Sequence, residues 1–309
     1  MSKCLLSYEN ISSGDYKLQS LKQLSPKLKE LKVFPYSTKE QQLESAKRAS
    51  KMSIQGVQEK LSVKLSLTES VFKIVDTGGT YIIKPQNNRF EQLPENEDLT
   101  MHLTSIAGIN VPVHGLVRSA DNQLSYFIKR FDRYGRGKKR ALEDFAQLQS
   151  KTRDTKYNSS IEQVIKTIHQ YTTFPKIEFL EFYKRFLFNF IVGNEDMHLK
   201  NYSLLEIDGV YKLAPAYDFL NTTIALHNPK EESALPLKGK KRNFTPKDLT
   251  SYLPNDLLQI PTKSSNKILN DLLAMAADFE TIIVNSFLSK KNKDRYTKLV
   301  AKRLKILSL

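Results

Sequence analysis

Asp196, Asn201 and Asp218 are the residues of this sequence whose types and spacing point most directly to chemistry. Within Gly193-Asn194-Glu195-Asp196-Met197-His198-Leu199-Lys200-Asn201, an Asp is followed five positions later by an Asn. That is the spacing of a phosphoryl-transfer loop, in which the carboxylate receives the proton of an acceptor hydroxyl and the Asn holds magnesium. Downstream, Leu213-Ala214-Pro215-Ala216-Tyr217-Asp218-Phe219 brings Asp218 in as a second hard oxygen ligand for the metal. Upstream, Thr80-Tyr81-Ile82-Ile83-Lys84 reads as a strand ending in a lysine, a point charge suited to phosphates. Gly56 stands between a helix and a strand, where a flexible phosphate-covering loop belongs. Transfer of this kind asks for positioning and charge neutralisation and for little covalent work by the protein.

Each residue also has a duller reading. Asp-x4-Asn matches arise by chance, Lys84 fits an ordinary strand end, and Asp218 shortly after Pro215 fits a turn. What joins them is their order: strand and Lys, buried helix, Asp-x4-Asn, hairpin, Asp-Phe, which is the order of a protein kinase. In that order Lys129-Arg130-Phe131-Asp132 takes the place of the hinge, where edge-strand backbone meets adenine. His198 has no second His or Cys at ligand spacing and reads as a loop-fixing hydrogen-bond partner, not a metal ligand. P-loop, nucleophile-elbow and zincin motifs are all missing, and the Gly135-x-Gly137 pair continues to Arg140 without a third glycine.

The elements that must position these residues follow from the hydrophobic pattern. A Lys-rich start with helical spacing includes a helix over Thr38–Lys51. Alternation at Leu61, Val63, Leu65 and Leu67, then β-branched and aromatic runs at Val71–Val75 and Thr80–Lys84, predict strands, with Gly78-Gly79 as a hairpin turn. Leu99, Leu103, Ile106 and Ala107 return to helical spacing until Gly108, and Ser125–Phe131 is a further strand. Beyond a basic loop at Arg133–Arg140, the pattern is mostly helical, with Phe179–Ile191 apolar enough to be buried nearly all round. Asp208-Gly209 joins two short strands, Tyr202–Ile207 and Val210–Leu213, inside this helical half, and helix resumes over Ser265–Leu288 and towards Leu309. The fold class expected is α+β and two-lobed. Residues 1–130 form a β-rich small lobe with a nucleotide-covering loop, and residues 131–309 a helical large lobe with the catalytic loop and metal site.

Composition sets the outer bounds. With 40% hydrophobic and 26% charged residues, the 309-residue chain lies in the globular range. One cysteine, Cys4, allows neither an internal disulfide nor a thiolate metal cage, and neither a signal peptide nor a membrane span is legible, so a cytoplasmic location is expected. The net charge of +15 is uneven, with nine basic and three acidic residues over Lys17–Lys51 and eight basic and one acidic over Lys290–Lys305. Such runs serve equally as solvated helix faces or as surfaces for phosphate-bearing or acidic partners.

Together, Ser53-Ile-Gln-Gly56-Val-Gln-Glu-Lys60, Ile128-Lys-Arg-Phe131-Asp132-Arg133, Glu143-Asp144-Phe145, Asn194-x-Asp196-x-His198-x-Lys-Asn201, Leu213-Ala-Pro-x-Tyr217-Asp218 and Gly239-Lys-Lys-Arg242 resemble the HipA-like bacterial serine/threonine kinase toxins. The resemblance implies a two-lobed kinase using ATP and Mg2+ that phosphorylates an aminoacyl-tRNA synthetase to halt translation. It implies Asp196 as catalytic base, Asn201 and Asp218 as metal ligands, and Lys84 as the phosphate lysine. Gly56, Val57, Gln58, Lys129, Phe131, Asp132, His198 and Lys200 join the ATP site, with Lys129 and Phe131 holding adenine through backbone groups and Asp132 near the ribose. Ser53 falls where the family carries its autophosphorylated loop serine, and a phosphate there would place about −1.5 to −2 charges beside bound ATP.

Two departures stand out. The usual acidic hinge residue is Lys129 here, and only about fifty residues precede Ser53. The second makes the chain similar to the shortened HipT type of three-component systems, in which a HipS-like small protein resembles the missing subdomain and tryptophanyl-tRNA synthetase is the linked target. A HipB-like DNA-binding antitoxin is implied as well, with DNA met only indirectly or through the basic ends, and no membrane partner. The alternatives are a catalytically silent scaffold that binds an antitoxin and operator DNA, and a small-molecule kinase. The presence of Lys84, Asp196, Asn201 and Asp218 weighs against the first, and the basic charge weighs against the second.

Overall fold

The computed structural model describes residues 2–48, 58–135, 137–226 and 231–309. The chain divides into two compact units, one of residues 1–99, 112–137 and 285–288, the other of residues 100–111, 138–284 and 289–309.

The first unit opens with the two-residue strands β1 (Ser2–Lys3) and β2 (Asn10–Ile11) and a single helical turn, α1 (Leu18–Leu21). The helical spacing of Leu21, Leu24, Leu28 and Leu31 does not produce a longer helix. Pro26 lacks the amide hydrogen that a helix interior needs; Leu21 ends α1, Leu24 lies in a turn and Leu28 and Leu31 in irregular backbone, and all four are buried in one core with the strands. Helix α2 (Thr38–Arg48) follows, entered through a reciprocal Ser37–Glu40 capping pair.

The sheet is built from β3 (Leu61–Ser66), β4 (Val71–Ile74), β5 (Tyr81–Lys84), β6 (His114–Arg118) and β7 (Leu124–Lys129), with α3 (Leu93–Ile106) inserted in sequence before β6. Its order is β4-β3-β5-β7-β6, and every pairing is antiparallel. Val63 of β3 faces Ile74 on one side and Tyr81 on the other, so β4 and β5 are not partners and Gly78-Gly79 is not a hairpin turn. The segment instead passes close over β3, tied by Val75 N–H to Ser62 and Thr80 N–H to Val63. A Cβ on Gly79 would lie 2.0 Å from the Ser62 hydroxyl, which is why glycine stands there. Phe72, Tyr81 and Phe127 meet at ring-centroid distances of 5.0–6.2 Å and form the aromatic centre of this core. The unit ends with β8 (Arg133–Tyr134).

The second unit continues through β9 (Lys138–Lys139), β10 (Leu142–Asp144), α4 (Phe145–Leu148) and α5 (Ile161–Tyr171) to α6 (Pro175–Val192). Proline at the first position starts α6 without losing a needed hydrogen bond. Phe182, Tyr183, Phe186, Leu187, Phe188, Phe190, Ile191 and Val192 are all buried along it, and at roughly 1.5–3 kcal/mol per buried side chain this helix is a main source of cohesion. β11 (Ser203–Ile207) and β12 (Val210–Leu213) form the expected hairpin, with Asp208 at φ 53° and Gly209 at φ 80° as the tight-turn chemistry requires. β10, unforeseen in the sequence, completes a three-stranded sheet of order β10-β11-β12. After α7 (Thr222–Ala225) and a π-helical segment over Asp248–Leu257 come α8 (Thr262–Ala274), α9 (Ala276–Asn285) and α10 (Lys290–Leu307). The helix expected over Ser265–Leu288 is thus two helices, broken at Met275. Among the described residues no helix is long and apolar enough to cross a membrane.

Candidate active site

The loop from Gly193 to Asn201 is fastened at every step. Gly193 caps α6 in the left-handed conformation at φ 69°, and a Cβ there would meet Leu299 Cδ2 at 2.5 Å and Thr223 Oγ1 at 2.6 Å. Its carbonyl accepts from both Thr222 and Thr223. The buried Asn194 side chain donates to Asn189 Oδ1 at 2.9 Å and accepts from the Asp196 N–H at 3.2 Å. The Glu195 N–H donates to Thr222 Oγ1 at 2.7 Å. Five residues on, Asn201 Nδ2 donates to the Asp196 carbonyl at 2.9 Å, so the Asp-x4-Asn spacing closes one compact turn. This orientation leaves Oδ1 as the atom Asn201 would offer to a cation.

The expected residues Asp196, His198, Lys200, Asn201 and Asp218 all lie in the second unit. Asp218 stands at φ 57°, a left-handed backbone that a non-glycine residue adopts only when its surroundings impose it. Its two neighbours do so. Tyr217 donates its hydroxyl to the Lys200 carbonyl at 3.0 Å and is also in contact with Ser203 Oγ, while the buried Phe219 stacks on Phe188. The carboxylates of Asp196 and Asp218 both act electrostatically on His198 and on Lys156. An amide oxygen on Asn201 and a carboxylate on Asp218 are the hard donors a magnesium ion takes, and the residues present fit that ion.

Lys200 is turned away from this pair. Its ammonium lies 2.8 Å from Asp144 Oδ2, while Asp144 Oδ1 accepts the Gln147 N–H and caps α4. Glu143-Asp144-Phe145 therefore braces the Gly193–Asn201 loop from β10, and the Phe145 N–H adds a bond to the Tyr202 carbonyl at 2.9 Å. His198 is buried, with Nε2 bonded to Lys156 Nζ at 2.7 Å. Burial lowers its pKa and the Lys156 charge adds to the effect, against the pull of Asp196 and Asp218, so the ring is kept neutral. Tyr157, beside Lys156, donates its hydroxyl to Asp196 Oδ1 at 2.5 Å. Sequence reasoning missed both residues, because no periodicity or motif marks the irregular segment between α4 and α5.

In the first unit, Lys84 at the end of β5 pairs with Glu97 of α3 at 2.6 Å, with side-chain exposures of 4% and 3%. Glu97 is the other residue that sequence reasoning missed. An acidic residue on the helix that follows the lysine strand was the available signal. At the expected hinge, the Lys129 N–H is committed to the Val113 carbonyl and the Arg130 N–H to the Thr80 carbonyl. Asp132 is buried and fully engaged, one oxygen by Arg130 and the other by Arg130 and Arg133. Burial works against its ionisation, but the two guanidinium groups prevail and hold its pKa below the usual range. The Gln58 side-chain nitrogen is buried without a hydrogen-bond partner among the described residues. Ser53, Gly56 and Val57 lie outside the described residues.

The second unit thus carries an Asp-x4-Asn turn and a following Asp, and the first a strand lysine held by a helix glutamate, the residue types that a kinase uses. The chain belongs to the HipA-like family, matching the HipA-like C-terminal domain over residues 52–279. A Haemophilus influenzae protein named "Putative kinase" is 27% identical, over 96% of this chain and 92% of its own length. The serine/threonine-protein kinase toxin HipA of Shewanella oneidensis is 26% identical over 55% of this chain, and the match spans only 43% of that relative. Among solved structures, HipA in the Shewanella oneidensis complex of HipA, HipB and operator DNA has a TM-score of 0.69 at 19% identity, covering 91% of this chain and 75% of that one. The Helicobacter pylori proinflammatory kinase CtkA has a TM-score of 0.53 at 19% identity, covering 73% and 86%. Both show a shared kinase-like two-lobed fold.

Proposed function

We propose that the chain is an ATP- and magnesium-dependent serine/threonine protein kinase acting as the toxin of a toxin–antitoxin system. The observation that carries this reading is the closed Asp196–Asn201 turn, with the charge of Asp218 reaching the same His198 that Asp196 reaches. Asp196 takes the proton of an acceptor hydroxyl, and Asn201 and Asp218 hold the metal, which when bound neutralises charge on the transferring phosphoryl group. Lys84, directed by its contact with Glu97, meets the phosphates nearer the nucleoside. With its N–H already spent in the sheet, Lys129 would offer adenine its carbonyl, with the backbone of Phe131 as the second proposed contact.

Finer assignments come from the family resemblance. An aminoacyl-tRNA synthetase is the proposed substrate, tryptophanyl-tRNA synthetase first among them, and Ser53 the proposed autophosphorylation site, the cytoplasm being the setting. A HipB-like antitoxin is the proposed partner, in line with the Shewanella HipA structure, which holds HipB and operator DNA. A HipS-like partner goes with the HipT subtype.

The test is calorimetric titration of ATP with and without Mg2+, on the parent chain and on Asn201→Ala and Asp218→Ala, followed by incubation with a panel of purified synthetases. Magnesium should tighten ATP binding to the parent and do so much less in either variant. Identical magnesium dependence in all three would overturn the metal assignment.

A further inference from the structure

The carboxylate of Asp196 is divided in its bonding. Oδ1 accepts the Tyr157 hydroxyl at 2.5 Å, while Oδ2 has no donor among the described residues and the side chain is 49% exposed. The group nearest Oδ2 is His198 Nε2, 3.9 Å away. An ammonium can only donate, so Nε2 accepts from Lys156 at 2.7 Å and the ring hydrogen sits on Nδ1. His198 therefore presents no hydrogen to Oδ2. Its Nδ1 is buried without a partner among the described residues.

Lys156 and Tyr157 act on the base from one short segment. The Lys156 carbonyl accepts the Leu199 N–H at 3.3 Å, the Tyr157 ring stands edge-on to His198 at 5.1 Å, and Lys156 Nζ lies 5.0 Å from the centre of the Tyr157 ring. The segment has other anchors, from the Thr152 N–H to Thr155 Oγ1 and from Ser159 Oγ to Gln149 Oε1. Tyr157 itself is 40% exposed, so its hydroxyl answers no need of a closed core. Burial, followed by the Asp196 charge and hydrogen bond, raises the Tyr157 pKa, which keeps the phenol a donor.

Resting on the kinase reading above, we propose that Tyr157 is a positioning residue for phosphoryl transfer. It occupies Asp196 Oδ1 so that Oδ2 alone receives the acceptor hydroxyl, and Lys156 supports it by keeping His198 from competing for that oxygen. Without the Tyr157 bond the carboxylate rotates about its χ2 axis, and the fraction of encounters with an oxygen correctly aimed falls.

The test compares the parent chain with Tyr157→Phe and Lys156→Met, using Mg-ATP with casein and with the chain itself as acceptors. Tyr157→Phe should lower kcat for transfer by about ten- to a hundredfold while KM for ATP stays within about twofold, since misplacement of a reacting group acts on the rate of the step. Lys156→Met should lower kcat in the same direction. Thermal melting run alongside separates these effects from loss of the fold, and Lys156→Arg, which retains a donor for Nε2, should recover part of the rate. An unchanged kcat in Tyr157→Phe overturns the proposal. A raised kcat overturns it too, by showing that the hydroxyl sits in the acceptor's own place. If the parent transfers no phosphate under the same conditions, the kinase reading fails first and takes the proposal with it.

Discussion

Lys84 Nζ lies 2.6 Å from Glu97 Oε1, and both side chains are almost wholly buried. Lys84→Met takes an ion-pair partner from a carboxylate that is only 3% exposed and should destabilise the protein, by up to about 3–5 kcal/mol. The double variant Lys84→Met/Glu97→Leu should recover most of that stability and none of the phosphoryl-transfer activity. Urea unfolding beside an ATP-transfer assay separates the two. A stable, inactive double variant is the expected result, and an active one would remove Lys84 from the site.

Gly193 must be glycine on two grounds, its φ of 69° and the atoms 2.5–2.6 Å from the Cβ it lacks. Gly193→Ala should lose about 2–3 kcal/mol, from left-handed backbone strain together with overpacking against Leu299 and Thr223. Because the loop to Asn201 starts at this residue, activity measured well below the melting temperature should fall as well. A variant with parental stability would contradict the packing.

Much of this geometry was legible in the sequence. Asp196, Asn201 and Asp218 could be proposed because the chemistry expected of them is tied to short-range spacing, and the Asp208-Gly209 hairpin was legible because a tight turn demands positive φ. The strands were legible as runs but their neighbours were not. Nothing local in Gly78-Gly79 says that the chain crosses β3, a fact that appears only once Val63 is seen between Ile74 and Tyr81. The leucines at 21, 24, 28 and 31 keep helical spacing while only Leu21 is helical, because Pro26 breaks the helix and the core still needs filling. Glu97, Lys156 and Tyr157 come to their partners through tertiary contacts, which single-sequence patterning does not encode.

Asp144 joins two tasks, capping α4 and holding Lys200 at 2.8 Å. Asp144→Ala should lose about 1–2 kcal/mol, the usual worth of an N-cap with a partly buried ion pair added. It should also free Lys200 and loosen the catalytic turn, lowering the transfer rate. Asp144→Asn retains the cap and loses the charge, so it should recover stability more fully than rate. Chemical denaturation and initial-rate measurements on both variants check this.

Asp248 sets an acid limit on the segment containing Gly239-Lys-Lys-Arg242. Burial opposes its ionisation, but hydrogen bonds from Lys240 at 2.8 Å and from the Thr245 N–H and hydroxyl outweigh it and bring its pKa from 3.8 down to about 2. A folded-state pKa below the unfolded value means stability that is fully present above 3.8 and lost as pH falls towards about 2. Asp248→Asn should therefore lose up to about 2 kcal/mol at pH 7, with the gap to the parent closing as the pH approaches 2. A gap that does not change with pH would contradict the assignment.

The claim on which the rest depends is that Asp196 serves phosphoryl transfer to a protein hydroxyl. It is tested most directly by intact-mass spectrometry with peptide mapping after incubation with Mg-ATP, on the parent chain and on Asp196→Ala, each alone and with purified aminoacyl-tRNA synthetases. The account expects a gain of one phosphate on a Ser or Thr of the chain or of one synthetase, with the rate reduced by at least about a hundredfold in Asp196→Ala while ATP still binds. No mass gain on any protein despite measurable ATP binding, or equal transfer by Asp196→Ala, would contradict it.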